Sequence, residues 1–262
     1  MAGVSRRWRG SGVRFPCRGL GTPYHRGVLA ALGWGALAAA SLVIGAVLGL
    51  ARDWKSGAVG GVLGFGAGAL ISSVAFELAE EGFKVGGLVA VAAGLGIGAL
   101  AFFLLDKVVA RMGGRSGGGS AGLPLALGAL LDGIPEQAVL GIGLAGGEGV
   151  SVALLVAVFV SNLPEAIGSS SDMAGAGKSR GSVVLLWSAV AVVCALATLG
   201  GYLLADVAGP RPQAGINGFA AGALLVMLVD SMIPEATRKA KDWAGIATVL
   251  GFALAAGLSA LS

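Results

Sequence analysis

Six long stretches of this chain carry no charged side chain at all: 27–51, 56–76, 85–105, 181–205, 212–229 and 243–262. Each is close to the roughly 20 apolar residues a helix needs to cross a hydrocarbon core of about 30 Å. Two more spans, about 122–144 and 150–170, are as apolar overall but are interrupted by acids. A backbone in lipid must satisfy its own hydrogen bonds, so repeated runs of this length lead to a helical bundle rather than to an open sheet. The expectation is an all-α polytopic membrane protein with eight transmembrane helices, near 28–50, 57–76, 83–105, 122–144, 150–170, 182–205, 214–233 and 243–261.

Composition agrees with a lipid solvent. The 262 residues are 56% hydrophobic and 12% charged, against about 25% charged in ordinary soluble domains. The 48 glycines suit helices whose backbones approach closely in a membrane. The joins between helices are short. Gly113, Gly114, Gly117, Gly118 and Gly119 fall in an Arg/Gly/Ser segment expected to lack regular structure, and Gly146, Gly147 and Gly149 surround Glu148 in a tight turn. That leaves no room for a separate soluble domain, so the organisation reads as a basic tail over 1–27 followed by a single eight-helix domain over 28–262.

The tail carries Arg6, Arg7, Arg9, Arg14, Arg18 and Arg26 before the first apolar run. That run is too long for the apolar core of a signal peptide and shows no clear processing site, so it reads as a retained first helix. A start codon set upstream of the true N-terminus is the competing explanation of the tail. Orientation follows from the loops. Arg52, Lys55, Lys107, Arg111, Arg115, Lys178, Arg180, Arg238, Lys239 and Lys241 lie in the odd-numbered loops, whereas the even-numbered ones hold only Lys84 and Arg211. The positive-inside bias then makes the odd loops cytoplasmic and puts both termini outside, in an integral protein of the plasma or inner membrane. The tail arginines argue the other way. The loop bias carries more weight because it recurs at four separate places.

The residues that carry chemistry are polar ones at membrane depth. In the fourth helix, Asp132-Gly133-Ile134-Pro135-Glu136-Gln137 sets two carboxylates four residues apart, on one helical face. Pro135 lacks the amide donor that the carbonyl four residues back would use, which predicts a local kink or opening. The fifth helix repeats the arrangement in Ser161-Asn162-Leu163-Pro164-Glu165, followed by Ser169, Ser170, Ser171, Asp172 and Met173. Two interrupted helices side by side are where transporters bind ions near mid-bilayer. An unpaired charge at the bilayer centre costs about 2.5–3.5 kcal/mol or more, and no Lys or Arg lies at comparable depth in the apolar runs. Protons, metal ions, water and hydrogen bonds remain as ways to neutralise Asp132, Glu136 and Glu165. Protonated acids that merely cross-link helices are the structural alternative.

Two acidic segments bracket this centre. The second helix ends Glu77-Leu78-Ala79-Glu80-Glu81, and the seventh ends Asp230-Ser231-Met232-Ile233-Pro234-Glu235. Glu77, Glu81, Asp230, Glu235 and Met173 form a second set of candidates, for the two mouths of a cation route. Acids that terminate helices at the interface are the alternative reading of Glu80, Glu81 and Glu235. Cys17 and Cys194 belong to no metal-binding or redox spacing. Neither GxxxxGK[ST] nor HExxH occurs, which leaves an ATP-driven pump, a zinc peptidase and enzymatic catalysis in general without support.

These motifs resemble those of the ZIP (Zrt/Irt-like) metal transporters, over all eight predicted helices. That family shows His-Asn-x-Pro-Glu in its fourth helix and a similar Pro-Glu motif in its fifth. Here they read Asp132-Gly133-Ile134-Pro135-Glu136 and Ser161-Asn162-Leu163-Pro164-Glu165. The resemblance implies a ZIP-like bundle with interrupted fourth and fifth helices that moves divalent metal between helices two, four, five and seven, toward the cytoplasm. By the same resemblance Asp132 and Ser161 take the two histidine positions, Gly133 replaces an asparagine, and Glu136, Asn162 and Glu165 keep the expected ligand types. The implied metal set is therefore Asp132, Glu136, Asn162, Glu165 and Ser161. The only histidine is His25, in the polar tail. A donor set of oxygens suits harder ions such as Mn²⁺ better than an imidazole site would, so the class is Mn, Fe or Zn without a choice among them.

The expected partners are divalent metal ions, as substrate, and the lipid bilayer. No prosthetic group and no nucleic acid is expected, and a homodimer is compatible with the architecture. The alternatives to transport are a non-transporting scaffold or metal sensor with the same fold, and a proton-linked carrier of another small cation.

Overall fold

The computed structural model describes residues 23–115, 122–145 and 151–261. The basic tail before residue 23, Gly117 to Gly119 and the Gly-rich turn around Glu148 lie outside the described residues. The described residues form eight helices: α1 (Pro23–Ala51), α2 (Ser56–Gly86), α3 (Leu88–Arg115), α4 (Gly122–Ala145), α5 (Val152–Gly175), α6 (Arg180–Asp206), α7 (Pro210–Ala240) and α8 (Trp243–Ser259). Among the described residues six helices are long and apolar enough to cross a membrane. At 1.5 Å per residue, the 17 residues of α8 still cover about 26 Å.

The surface is what lipid would select. Val89 is 83% exposed and Leu185 73%, and the outer faces of α3 and α6 carry Ile97, Leu100, Val192 and Leu196 in the open. In water such continuous apolar faces would drive association; in hydrocarbon they cost nothing. The interior follows from close approach rather than from bulky side chains. A methyl group at Gly98 of α3 would strike the Phe219 carbonyl of α7, and one at Gly222 would strike the Leu95 carbonyl. Small residues facing each other are what let these two backbones touch.

The helices sort into two halves. α1 packs extensively on α5 and α6, and α4 on α6; α3 packs on α7, and α2 on α8 and α7. The halves meet mainly where α2 lies against α5. There the Gly66 Cα of α2 has no room for a side chain, because a Cβ would come within 2.9 Å of the Ser161 Cα. The sequence of α2 thus places the Ser161 turn of α5 directly against the other half of the bundle.

Three sequence expectations are corrected. α2 does not stop at 76 but runs through its acids to Gly86, with Lys84 Nζ 2.8 Å from Glu80 one turn earlier. Charges mark where a helix leaves lipid, not where its hydrogen bonding ends; the chain turns at Gly87, whose φ of +84° favours glycine. Likewise α3 continues past Asp106 and Lys107 through Gly113 and Gly114, and α7 runs past 233 to Ala240. The third correction concerns where helical geometry changes. α4 and α5 remain α-helical through Pro135 and Pro164. The π-helical segments lie instead in α2, over Val74–Glu80, and in α7, over Leu228–Met232. A proline removes one donor but preserves the path when neighbouring helices hold it. A π turn widens the helix without any single-residue signature.

Candidate functional site

One end of the bundle holds a cavity of about 340 Å³. α4 contributes Asp132 and Glu136 to its wall, α5 contributes Glu165 and Ser169, and α7 contributes Asp230 and Glu235, with Met227 and Met232 beside them. The four-residue step from Asp132 to Glu136 puts both on one face of α4. Pro135 between them leaves the Leu131 carbonyl without its usual amide donor. On α7 the π segment Leu228–Met232 directly precedes Pro234, so the ladder is disturbed twice within one stretch.

Glu136 is the most enclosed of these acids, 2% exposed. Its partner is the Ser161 hydroxyl, which lies 3.1 Å from Oε2, 3.2 Å from Oε1 and 3.0 Å from the Val158 carbonyl. With a single proton, that hydroxyl donates to one acceptor at a time. Asn162 is buried beside it, and neither amide atom of its side chain has a hydrogen-bond partner among the described residues. A buried amide without partners is uncommon and costs free energy. Gln137, next to Glu136, accepts a 2.8 Å bond from the Thr198 hydroxyl of α6 and fixes this face of α4 to its own half.

Of the residues singled out by sequence, Asp132, Glu136 and Glu165 therefore share one cavity with Asp230 and Glu235. Ser161 joins through Glu136, and Asn162 stands behind the lining. Glu77 and Glu81 lie at the opposite end of the bundle, in a second cavity of about 550 Å³ with Glu80, Gln213 and Asn217. Glu77 there accepts from the Ser259 hydroxyl of α8. Between the two cavities the same helices present the buried side chains of Leu70, Val74, Val158 and Leu224. Met173 lines neither cavity; it is buried in a second apolar cluster with Leu42 and Trp187. The cavity residues Met227, Ser231 and Arg238 were not anticipated, although the Pro234-Glu235 pair pointed to their stretch of α7.

Gly133, where the resemblance expects asparagine, faces α6: a Cβ there would come 2.8 Å from Cys194 Sγ. Cys194 is a buried packing residue. Among the described residues no three His, Cys, Asp or Glu side chains stand close enough together to hold a metal ion. The acids line the cavity wall without converging on one point.

No protein-family model matches the chain. It is 30% identical over 186 residues to a "putative zinc transporter" of Arabidopsis thaliana, a match covering 68% of this chain and 30% of that protein. It is 27% identical over 118 residues to zinc transporter SLC39A7 of Mus musculus, and 26% to the Homo sapiens protein of that name, covering 43% of this chain and 25% of each. The chain thus spans less than a third of the length of these curated relatives. Over the matched part it is homologous to metal transporters of the ZIP/SLC39A kind, which are transporters and not enzymes.

Proposed function

We propose that the protein carries divalent metal cations across a membrane, with the acid-lined inner cavity as the central station of the route. The observation that carries this reading is the gathering of carboxylates from α4, α5 and α7 around one cavity inside a lipid-facing bundle. A dehydrated cation is stabilised there by carboxylates that gain equally from its charge. Asp132, Glu136 and Glu165 are the first ligands, with Asn162 offering a carbonyl oxygen if its turn shifts and Ser161 orienting Glu136. Asp230 and Glu235 form the step between this group and the nearer mouth. Glu77 and Glu81 serve the far mouth.

That nearer mouth lies at the end where α7 carries Arg238 and Lys239 and the following loop Lys241, so the positive-inside bias makes it cytoplasmic; transport toward the cytoplasm is the direction the family resemblance implies. Passage requires the layer of Leu70, Val74, Val158 and Leu224 to part, and the carboxylates to draw together around the ion. Proton exchange on those carboxylates is the candidate coupling. Oxygen donors together with Met227 and Met232 fit the Mn, Fe or Zn class, and the relatives' names favour zinc within it.

A sensor or scaffold of the same fold is the second reading, favoured by the lack of a converged metal group among the described residues. Uptake by the purified chain in sealed liposomes separates the two. Transport predicts cation entering vesicles above the empty-vesicle level, whereas a sensor binds cation and moves none.

A further inference from the structure

Glu235 is the one acid of the inner cavity with a cationic partner among the described residues. Lys239, one turn later on α7, places its Nζ 2.7 Å from Glu235 Oε1. Arg238 also approaches Glu235, at 3.5 Å. The two bases differ in where they stand. The Arg238 side chain is 72% exposed, while that of Lys239 is only 18% exposed.

An ordinary i,i+4 pair lies along its own helix in solvent. Lys239 does something else. Its Cβ packs against Gly60 of α2, where an added methyl would come 2.6 Å from it. Its Nζ ends beside Gly168 of α5, where a Cβ would come within 2.8 Å. The first contact, which also involves the backbone of Ala240, requires glycine, and with the second it runs the side chain along two other helices. Gly168 is three residues after Glu165, on the same face of α5. The ammonium therefore reaches from α7, in one half of the bundle, to α5, in the other, and arrives next to the turn that holds a cavity carboxylate.

We propose that Lys239 is a tethered counter-cation of the inner cavity: it occupies Glu235 when no metal is present, and a divalent cation passing Glu235 displaces it. This rests on the reading of that cavity as the cation route. A side-chain ammonium fixed at the mouth competes with every free cation because its effective concentration is high and does not vary. It also repels a divalent ion held nearby. Lys239 thus limits how tightly the cavity holds its cargo and favours release over retention.

The test uses the full chain in detergent, with Mn²⁺ as the probe and free Mn²⁺ followed by its paramagnetic resonance signal. Lys239→Met should bind Mn²⁺ about tenfold more tightly than the unaltered chain, while Lys239→Arg, which keeps the charge, stays within about threefold. Amine labelling of Lys239, read by mass spectrometry, should accelerate when Mn²⁺ is added to the unaltered chain, which a purely structural lysine would not show. Unchanged or weaker binding by Lys239→Met, or labelling indifferent to Mn²⁺ that demonstrably binds, overturns the proposal. If the unaltered chain binds no Mn²⁺ while Lys239→Met does, the lysine blocks the cavity without yielding to the cation, and the proposed displacement is overturned. If neither binds, the cation route itself fails and the proposal with it.

Discussion

Both cavities are lined by acids, Glu77, Glu80 and Glu81 at the far end and Asp132, Glu136, Glu165, Asp230 and Glu235 at the near end, and the two groups are partnered differently. At the far end, Glu80 is paired with Lys84 and half exposed, and Glu77 takes the Ser259 hydroxyl. At the near end, Asp132 and Glu165 have no hydrogen bond or ion pair among the described residues, and Glu136 has only a serine hydroxyl. The larger cavity is the one whose acids are already answered by partners or water. Volume thus fails to pick out the cation station, whereas the three membrane-depth carboxylates that no base answers among the described residues, Asp132, Glu136 and Glu165, do.

That contrast can be broken by substitution. The largest effect is expected at its centre: Glu136→Ala or Glu165→Ala should lower the initial rate of metal uptake about a hundredfold, equivalent to ~2.7 kcal/mol, with the protein still inserted and monodisperse. Retained uptake in either variant would remove the near cavity from the route. Asp132→Asn keeps shape and removes charge, and should reduce uptake about tenfold. Ser161→Ala leaves Glu136 in place but without its donor. Losing a hydrogen bond to a charged group is worth about 1.5 kcal/mol, so uptake should fall by about tenfold or less, mostly through a raised KM. The smallest change belongs to the far cavity. Glu77→Gln and Glu81→Gln should raise KM by no more than about threefold and leave kcat unchanged, and at the exposed Glu81 salt should erase the effect because exposed charges are screened within about 8–10 Å. A far-end substitution more damaging than Glu165→Ala would invert the comparison.

Much of this was legible in the sequence, for reasons that also explain the misses. The eight helices could be counted because a charge is expensive in lipid, so charge-free runs reveal spans. The same rule misplaced the ends of α2 and α7, since Glu77 to Lys84 and Pro234 to Lys239 remain helical beyond the apolar zone. Asp132, Glu136 and Glu165 were found because acids at depth are rare. Met227, Arg238 and Lys239 were not, because an apolar or basic residue near a helix end has no local mark; only the packed bundle puts Met227 and Arg238 on the cavity wall and Lys239 beside Glu235. Met173 and Met232 look alike as sequence neighbours of acids, yet one faces Trp187 and the other the cavity. Proline signalled a missing hydrogen bond at Pro135 and Pro164. It did not locate the π segments Val74–Glu80 and Leu228–Met232, neither of which contains a proline.

The central claim is that Asp132, Glu136 and Glu165, which no base answers among the described residues, form the station through which a divalent cation crosses. Its most direct test is uptake of Mn²⁺, Fe²⁺, Zn²⁺, Co²⁺ and Cd²⁺ by the purified chain in sealed liposomes, comparing the unaltered protein with Glu136→Ala and Glu165→Ala. The account predicts saturable uptake of at least one of these ions by the unaltered protein and its loss in both variants. No flux above empty liposomes for any of the five, with correctly folded protein, would contradict it.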